Sequence, residues 1–294
     1  MGKRTLYFEC NTGISGDMTV AALLDAGASE EVLMKALEGI DDDTFEVRIS
    51  RVKKSGLDCC DFDVVLDKAH ENHDHDMEYL YGADHAKHHH QHATAHYHDH
   101  VNAHYHDHAH THYHDHAHTH YHRNPADIKN IINSLEITEN AKSIACRVFD
   151  ILAEAEAKAH GTSIDEVHFH EVGAIDSIVD VVAAAVCLDN LNVDEVIVKS
   201  ISEGTGSVRC QHGVIPVPVP AVANIAAAYK LPLRIVDRNG EFVTPTGAAF
   251  LAASMTGKKL PESFVIERVG MGAGKRDYDP PGILRAMLLE EVDE

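Results

Sequence analysis

The densest chemistry in this chain is histidine. Between His70 and His122 lie 21 of its 25 histidines, together with eight carboxylates and a single basic residue, Lys87. An eight-residue repeat organises the tract: His96-Tyr97-His98-Asp99-His100-Val101-Asn102-Ala103 is followed by two copies of HYHDHAHT from His104. Neutral imidazole is a ligand for nickel, copper, zinc and iron. His96, His98, His100, His104, His106, His108, His112, His114 and His116 therefore offer many equivalent multi-nitrogen sites that need no fold to form. The tract is expected to collect a late transition metal, and nothing in it selects one. Its internal position and its period rule out a purification tag.

A second constellation lies in Val167-His168-Phe169-His170-Glu171-Val172-Gly173-Ala174-Ile175-Asp176-Ser177-Ile178-Val179-Asp180. In extended backbone His168 and His170 point to one side. Asp176 and Asp180, four apart on the helix that follows, share a face. Two imidazoles and up to three carboxylates at a strand-to-helix junction could hold a divalent metal or move a proton. The plainer alternative makes the histidines edge-strand surface residues and the aspartates helix-start stabilisers.

Four further turns carry residue types suited to anions. Gly13 and Gly16 lie in a strand-to-helix turn ending at Asp17, where backbone N–H groups and a helix N-terminus could face a phosphate; the plainer reading is a tight turn stabilised by Asp17. Gly204-Thr205-Gly206-Ser207 leads to Cys210-Gln211-His212-Gly213. Thr244-Pro245-Thr246-Gly247 precedes an apolar helix, and Gly270-Met271-Gly272-Ala273-Gly274-Lys275-Arg276 reads as a glycine loop with two cations. None is a Walker loop or a Rossmann fingerprint. Taken together they favour a phosphorylated small-molecule ligand.

The elements that position these residues follow from periodicity. Leu6 to Cys10 reads as a strand and Met18 to Asp25 as a helix, with a second helix over Glu30 to Leu37. Phe45 to Val52 and Asp58 to Leu66 alternate around Lys54-Ser55-Gly56 and predict a hairpin. Asn124-Pro125 caps a helix, and a longer one ends near Gly161. The fold class expected is α+β (mixed α/β), a two-part globular core interrupted by a His-rich loop. The parts are 1–69, the insert 70–122, and the main portion 123–294. The insert has almost no large apolar residues to offset its ordering entropy and is expected to be disordered.

Composition narrows the partners. With 294 residues, 44% of them hydrophobic, the chain can bury one substantial core or two modest ones. A formal charge of −22 argues against nucleic acid and anionic lipid, and suits cations. No apolar run approaches the length of a membrane helix, and the segment from Lys3 to Cys10 lacks the pattern of a signal peptide, so a cytoplasmic location is expected. The six cysteines show no CxxC pair and read as reduced thiols. A homo-oligomer is compatible with the sequence.

Five stretches carry a family resemblance: Glu9-Cys10-Asn11-x-Gly13-x-x-Gly16-Asp17-Met18, the block from His168 to Asp180, His212-Gly213-x-x-Pro216-x-Pro218, Thr244-Pro245-Thr246-Gly247, and Gly270-x-Gly272-x-Gly274-Lys275-Arg276-Asp277. Jointly they resemble the LarC family of nickel insertion proteins over nearly the whole chain. The resemblance implies a nickel chelatase of the lyase class, a CTP-dependent cyclometallase. Its substrate would be a pyridinium-3,5-bisthiocarboxylic acid mononucleotide, into which nickel is placed with nickel–sulfur and nickel–carbon bonds. It also implies CTP with Mn or Mg as cofactors and lactate racemase apoprotein as recipient.

Family members usually continue into a smaller C-terminal domain associated with CTP. This chain stops at Glu294, so the expectation is an N-terminal portion working with a separate C-terminal part. The expected roles are catalytic for Asp17, Glu171, Asp176 and Asp180; cofactor-binding for Gly13, Gly16, Thr244, Thr246, Gly247, Gly272, Gly274 and Lys275; and metal-binding for His168, His170, His212 and the tract. Two rivals remain at this level, a non-catalytic nickel reservoir or metallochaperone and a metal-dependent phosphohydrolase.

Overall fold

Alternating apolar residues open the chain and set an interior strand of the sheet. In β1 (Arg4–Cys10), Leu6, Phe8 and Cys10 are buried, while Tyr7 and Glu9 are half-buried on the opposite face. The computed structural model describes residues 3–67, 76–81, 123–167, 169 and 173–292. After β1 come α1 (Gly16–Asp25) and α2 (Glu30–Leu37), then the hairpin β2 (Phe45–Lys54) and β3 (Leu57–Leu66). Ser55 at φ 48° and Gly56 at φ 81° form its two-residue turn, whose left-handed conformation matches the twist of the flanking strands.

Beyond α3 (Met77–Tyr81) the helix α4 (Pro125–Ser134) starts with a reciprocal cap. Asn124 accepts from the Ala126 and Asp127 amides at 2.9 and 3.0 Å, and Asp127 accepts from the Asn124 amide at 3.1 Å. The long α5 (Glu139–His160) ends at Gly161, φ 66°, and a 3-10 turn at Ile164–Glu166 leads towards α6 (Ile175–Leu191). The chain continues through β4 (Glu195–Thr205), the small hairpin β5 (Ser207–Cys210) and β6 (Gly213–Pro216), α7 (Pro220–Tyr229), β7 (Leu233–Asn239), α8 (Pro245–Ser254), β8 (Phe264–Ala273) and β9 (Ile283–Glu291).

Seven strands form one mixed sheet in the order β2-β3-β8-β9-β1-β4-β7. The interior strand β1 runs parallel to β4 and antiparallel to β9. Helix α1 packs on β8, β3 and β9 and also against α6, which in turn touches α5. The stretches 1–69 and 123–294 therefore build a single sheet and a single core, because β1 is inserted between two strands of the later stretch. The mixed α/β class is as the sequence indicates.

Two sequence expectations change. Residues 77–81, assigned by composition to the insert, form α3, with Leu80 buried and the Tyr81 hydroxyl 2.7 Å from that of Tyr278. These two side chains supply the apolar surface that the repeat itself lacks. The rest of the insert, 70–75 and 82–122, and with it every tract histidine, lies outside the described residues. The second change concerns Gly270 and Gly272, which belong to strand β8 rather than to a loop. A Cβ on either would stand 2.1 Å from a carbonyl of α1, Ala22 O and Met18 O respectively, so both allow the helix to lie close on the sheet. All six cysteines are free thiols, and Cys59 and Cys60 are both buried in β3.

Buried Glu203 on β4 ties the sheet to the segment before α8. Its Oε1 accepts from the amides of Gly204 and Phe242 at 2.8 Å each and of Val243 at 3.3 Å. Burial pushes its carboxyl from an ordinary 4.5 up to about 7. A carboxyl raised in the folded state gives stability that is complete below pH 4.5 and is lost as pH rises through 7. Glu203→Gln keeps an oxygen acceptor and cannot ionise. It is expected to add about 3 kcal/mol at pH 8 and almost nothing at pH 4.5. Denaturant unfolding at the two pH values checks this, and equal effects at both would refute it.

Candidate functional site

Two strand-to-helix turns meet edge to edge below the N-termini of α1 and α8. The Ile14 amide donates to Phe242 O at 2.9 Å, and the Thr244 amide donates to Ile14 O at 3.0 Å. This approach requires glycine. Gly13 has φ 88°, and a Cβ there would stand 1.9 Å from Phe242 O, while one on Gly247 would be 2.5 Å from Ile14 O. Gly13, Gly247 and Gly272 thus serve backbone packing, and none of them lines the adjoining cavity. Thr244 caps α8 by accepting from the Gly247 amide at 3.2 Å, and its hydroxyl lies 3.0 Å from that of Thr246.

The cavity measures about 790 Å³ and brings together much of what the sequence singled out. Gly16, Asp17, Asp176, Asp180, Thr244, Thr246, Gly274, Lys275 and His212 all line it. Among the described lining residues, Asp17, Asp63, Glu156, Asp176, Asp180 and Glu241 face three permanent cations, Arg209, Lys275 and Arg276. His168, His170 and Glu171 lie outside the described residues.

Three carboxylates meet where α1 crosses α6. A Cβ on Gly16 would fall 2.4 Å from Asp180 Oδ2, so only glycine lets the start of α1 approach that side chain. Burial, followed by the charges of Asp17 and Asp176, raises the Asp180 carboxyl well above the usual carboxylate range; Lys275 and the Asp17 amide act in the opposite sense. Asp17 Oδ1 accepts from Ser15 Oγ, whereas its Oδ2 is buried with no partner among the described residues. A buried, unsatisfied carboxylate oxygen is costly to leave unpaired, and a cation at this point would satisfy it.

Two of the three cations of the cavity are already engaged. Lys275 Nζ lies 2.7 Å from Asp61 and 3.3 Å from Asp63. Arg276 pairs with Glu241, whose carbonyl accepts from the Tyr278 hydroxyl at 3.0 Å and whose amide donates to Tyr81 Oη at 3.0 Å. Among the described residues, no group of three or more His, Cys, Asp or Glu side chains is placed so that it could hold a metal ion. No helix among them is long and apolar enough to cross a membrane.

Comparison with known proteins gives this geometry its context. A family model described as "Nickel insertion protein" matches residues 6–294. The chain belongs to the nickel insertion protein family. It is 48% identical over 286 residues to the pyridinium-3,5-bisthiocarboxylic acid mononucleotide nickel insertion protein of Alkaliphilus metalliredigens, covering 97% of this chain and 60% of that protein. The protein of the same name from Clostridium acetobutylicum is 43% identical over 289 residues, covering 98% of this chain and 64% of that one. For Clostridium kluyveri the identity is 39% over 290 residues, with coverage of 98% and 62%. The chain thus spans less than two thirds of the length of these relatives. No solved structure matches it.

In this member of the nickel insertion family, several cavity residues carried no signal strong enough to single them out in the sequence. Glu156 and His160 sit at the end of α5, a helix readable mainly by its apolar stripe, although their spacing of four was visible. Tyr81, Glu241 and Tyr278 meet only through tertiary structure.

Proposed function

We propose that this chain carries out nickel insertion into a pyridinium-3,5-bisthiocarboxylic acid mononucleotide, as the N-terminal portion of a cyclometallase. Family membership and the printed names of the relatives support the substrate class. The observation that carries the chemical reading is the buried trio Asp17, Asp176 and Asp180, with the unpartnered Oδ2 of Asp17. A divalent nickel ion is the cargo that such a group attracts. The pyridinium ring of the acceptor is itself a cation and suits a lining with twice as many carboxylates as permanent cations.

Insertion makes two nickel–sulfur bonds and one nickel–carbon bond, and the last requires a ring C–H bond to break. The proton must leave for a base as carbon takes up the metal. Asp180, disfavoured as an anion by burial and by the charges of Asp17 and Asp176, is the base proposed to take up that proton. Arrival of nickel beside them stabilises their ionised forms and prepares the site to accept that proton. His168, His170 and Glu171, immediately before Asp176, are proposed to complete the ligand set. The tract from 82 to 122 is proposed to store nickel, and lactate racemase apoprotein to receive the finished cofactor.

Lys275 and Arg276 are each already paired with carboxylates rather than held for a triphosphate. No step is therefore routed through CTP, whose handling is assigned to a separate C-terminal part. The reading is tested by absorbance detection of the nickel nucleotide after mixing protein, nickel and metal-free nucleotide. Asp17→Asn, which keeps the side-chain size, should fold normally and lose product formation. Wild-type rates from this variant would remove the carboxylate trio from the reaction.

A further inference from the structure

The third cation of the cavity, Arg209, is left over by the contacts described so far. Its guanidinium makes no ion pair or hydrogen bond among the described residues, although it lines the same cavity as the carboxylate trio. Arg209 sits on the short hairpin of β5 and β6, where its backbone pairs with Val214 and its neighbour Val208 is buried. The hairpin turn is closed by the pairing of Cys210 with Gly213 at φ 89°, so the Arg209 side chain is not required for the local fold. Three residues on, the His212 ring stands 4.8 Å, centroid to centroid, from that of His160 at the end of α5. His160, Arg209, Gln211 and His212 are exposed and line the cavity, whereas Asp17 is buried in it. Glu156 also faces this wall, 3.5 Å from His160 Nε2; burial raises its carboxyl against the pull of His160, so it is disfavoured as an anion. The cavity thus runs from a solvent-facing wall rich in nitrogen donors to a buried group of carboxylates.

We propose that Arg209, with the imidazoles of His160 and His212, holds the phosphate of the mononucleotide at the exposed wall, so that the pyridinium ring points to the carboxylate trio. A phosphate monoester carries roughly two negative charges near neutral pH. The planar guanidinium fork meets two of its oxygens at once, and imidazole N–H groups add donors in either charge state. Holding the phosphate at the solvent-facing wall avoids the cost of burying a dianion, and leaves the less strongly hydrated ring to enter the interior. The other residues suited to a phosphate are committed elsewhere. Lys275 lies against Asp61 and Asp63, Arg276 against Glu241, and a Cβ at Gly13 or Gly247 would meet backbone rather than the cavity. That the phosphate belongs to a pyridinium mononucleotide rests on the insertion reading above; the anion-binding wall itself does not.

Calorimetric titration of the full chain without nickel compares the metal-free mononucleotide with its dephosphorylated nucleoside. The expected result is at least ~10-fold tighter binding of the nucleotide, a difference that Arg209→Ala removes by weakening the nucleotide alone. Arg209→Lys keeps the charge, loses the fork and should recover part of the difference. His160→Ala combined with His212→Ala should weaken the nucleotide by at least ~3-fold and leave the nucleoside unchanged. Lys199→Ala, an equal loss of charge at an exposed residue of β4 that does not line the cavity, should change neither affinity. Equal binding of nucleotide and nucleoside by the wild type, no binding of either, or an equal loss of both in Arg209→Ala overturns the proposal. So does a loss confined to CTP, titrated in parallel, which would give Arg209 to the triphosphate instead. Arg209-dependent nucleotide binding without product in the insertion assay would leave the phosphate site standing and remove the insertion reading. Nickel insertion proceeding equally well into nucleoside and nucleotide would do the reverse.

Discussion

Asp180→Asn is expected to raise the melting temperature of the metal-free protein while lowering nickel insertion by about 10²–10⁴-fold, the range typical of a lost proton-transferring group. Asp180 is buried beside Asp17 and Asp176, and its carboxyl is raised well above the usual range. For a carboxyl raised in the folded state, stability is greatest where the group is protonated and is lost as pH climbs from the unfolded value through the folded one. An amide at this position is neutral at every pH, so the gain from Asn should appear near neutrality and vanish in acid. Each kcal/mol of relieved repulsion corresponds to a melting shift of about 2–4 °C for a chain somewhat smaller than this one. Thermal unfolding at pH 4 and pH 7.5, paired with the insertion assay, reads both effects. A variant less stable than wild type at pH 7.5 would show that Asp180 supports the fold rather than straining it.

Deleting residues 82–122 is expected to lower the nickel bound per chain several-fold and to leave insertion at saturating nickel unchanged. This segment holds 18 of the 25 histidines. The longer deletion, 70–122, should behave differently because it also removes buried Leu80 and the Tyr81 to Tyr278 contact. Losing a buried leucine alone costs about 2–5 kcal/mol. Imidazoles titrate near pH 6.5, so nickel held by the tract should also be released between roughly pH 7 and 5.5. Metal analysis, thermal unfolding and insertion rates on the two deletions separate storage from structure. If removal of 82–122 alone abolished insertion at saturating nickel, the tract would belong to the reacting site.

Local signals made much of the framework readable. The hairpin around Ser55-Gly56, the cap at Asn124-Pro125 and the end of α5 at Gly161 each follow from residues adjacent in sequence. The same holds for Asp176 and Asp180, whose spacing alone places them on one helical face. Glycines were harder to read, because a glycine that admits an anion and one that admits another backbone look alike in sequence. At Gly13, Gly247 and Gly272 a Cβ would meet another backbone, Phe242 O, Ile14 O and Met18 O respectively, a contact that only the fold reveals. The meeting of Asp17 with Asp180 depends on α1 crossing α6 at Gly16, a long-range contact that no periodicity encodes. For the same reason Lys275 could be named as a cavity cation, but not its neutralisation by Asp61 and Asp63.

The most direct test is a single-turnover experiment in which the chain, preloaded with nickel, is mixed with the metal-free nucleotide. It is run with and without CTP, and with and without the C-terminal portion of a longer relative. Insertion by this chain predicts one equivalent of the nickel–carbon-bonded nucleotide in at least the complete mixture, with its formation abolished by Asp17→Asn in this chain. Nickel passing to the nucleotide at the same rate with Asp17→Asn as with wild type, or the C-terminal portion producing the complex equally well without this chain, would contradict it and leave a nickel reservoir.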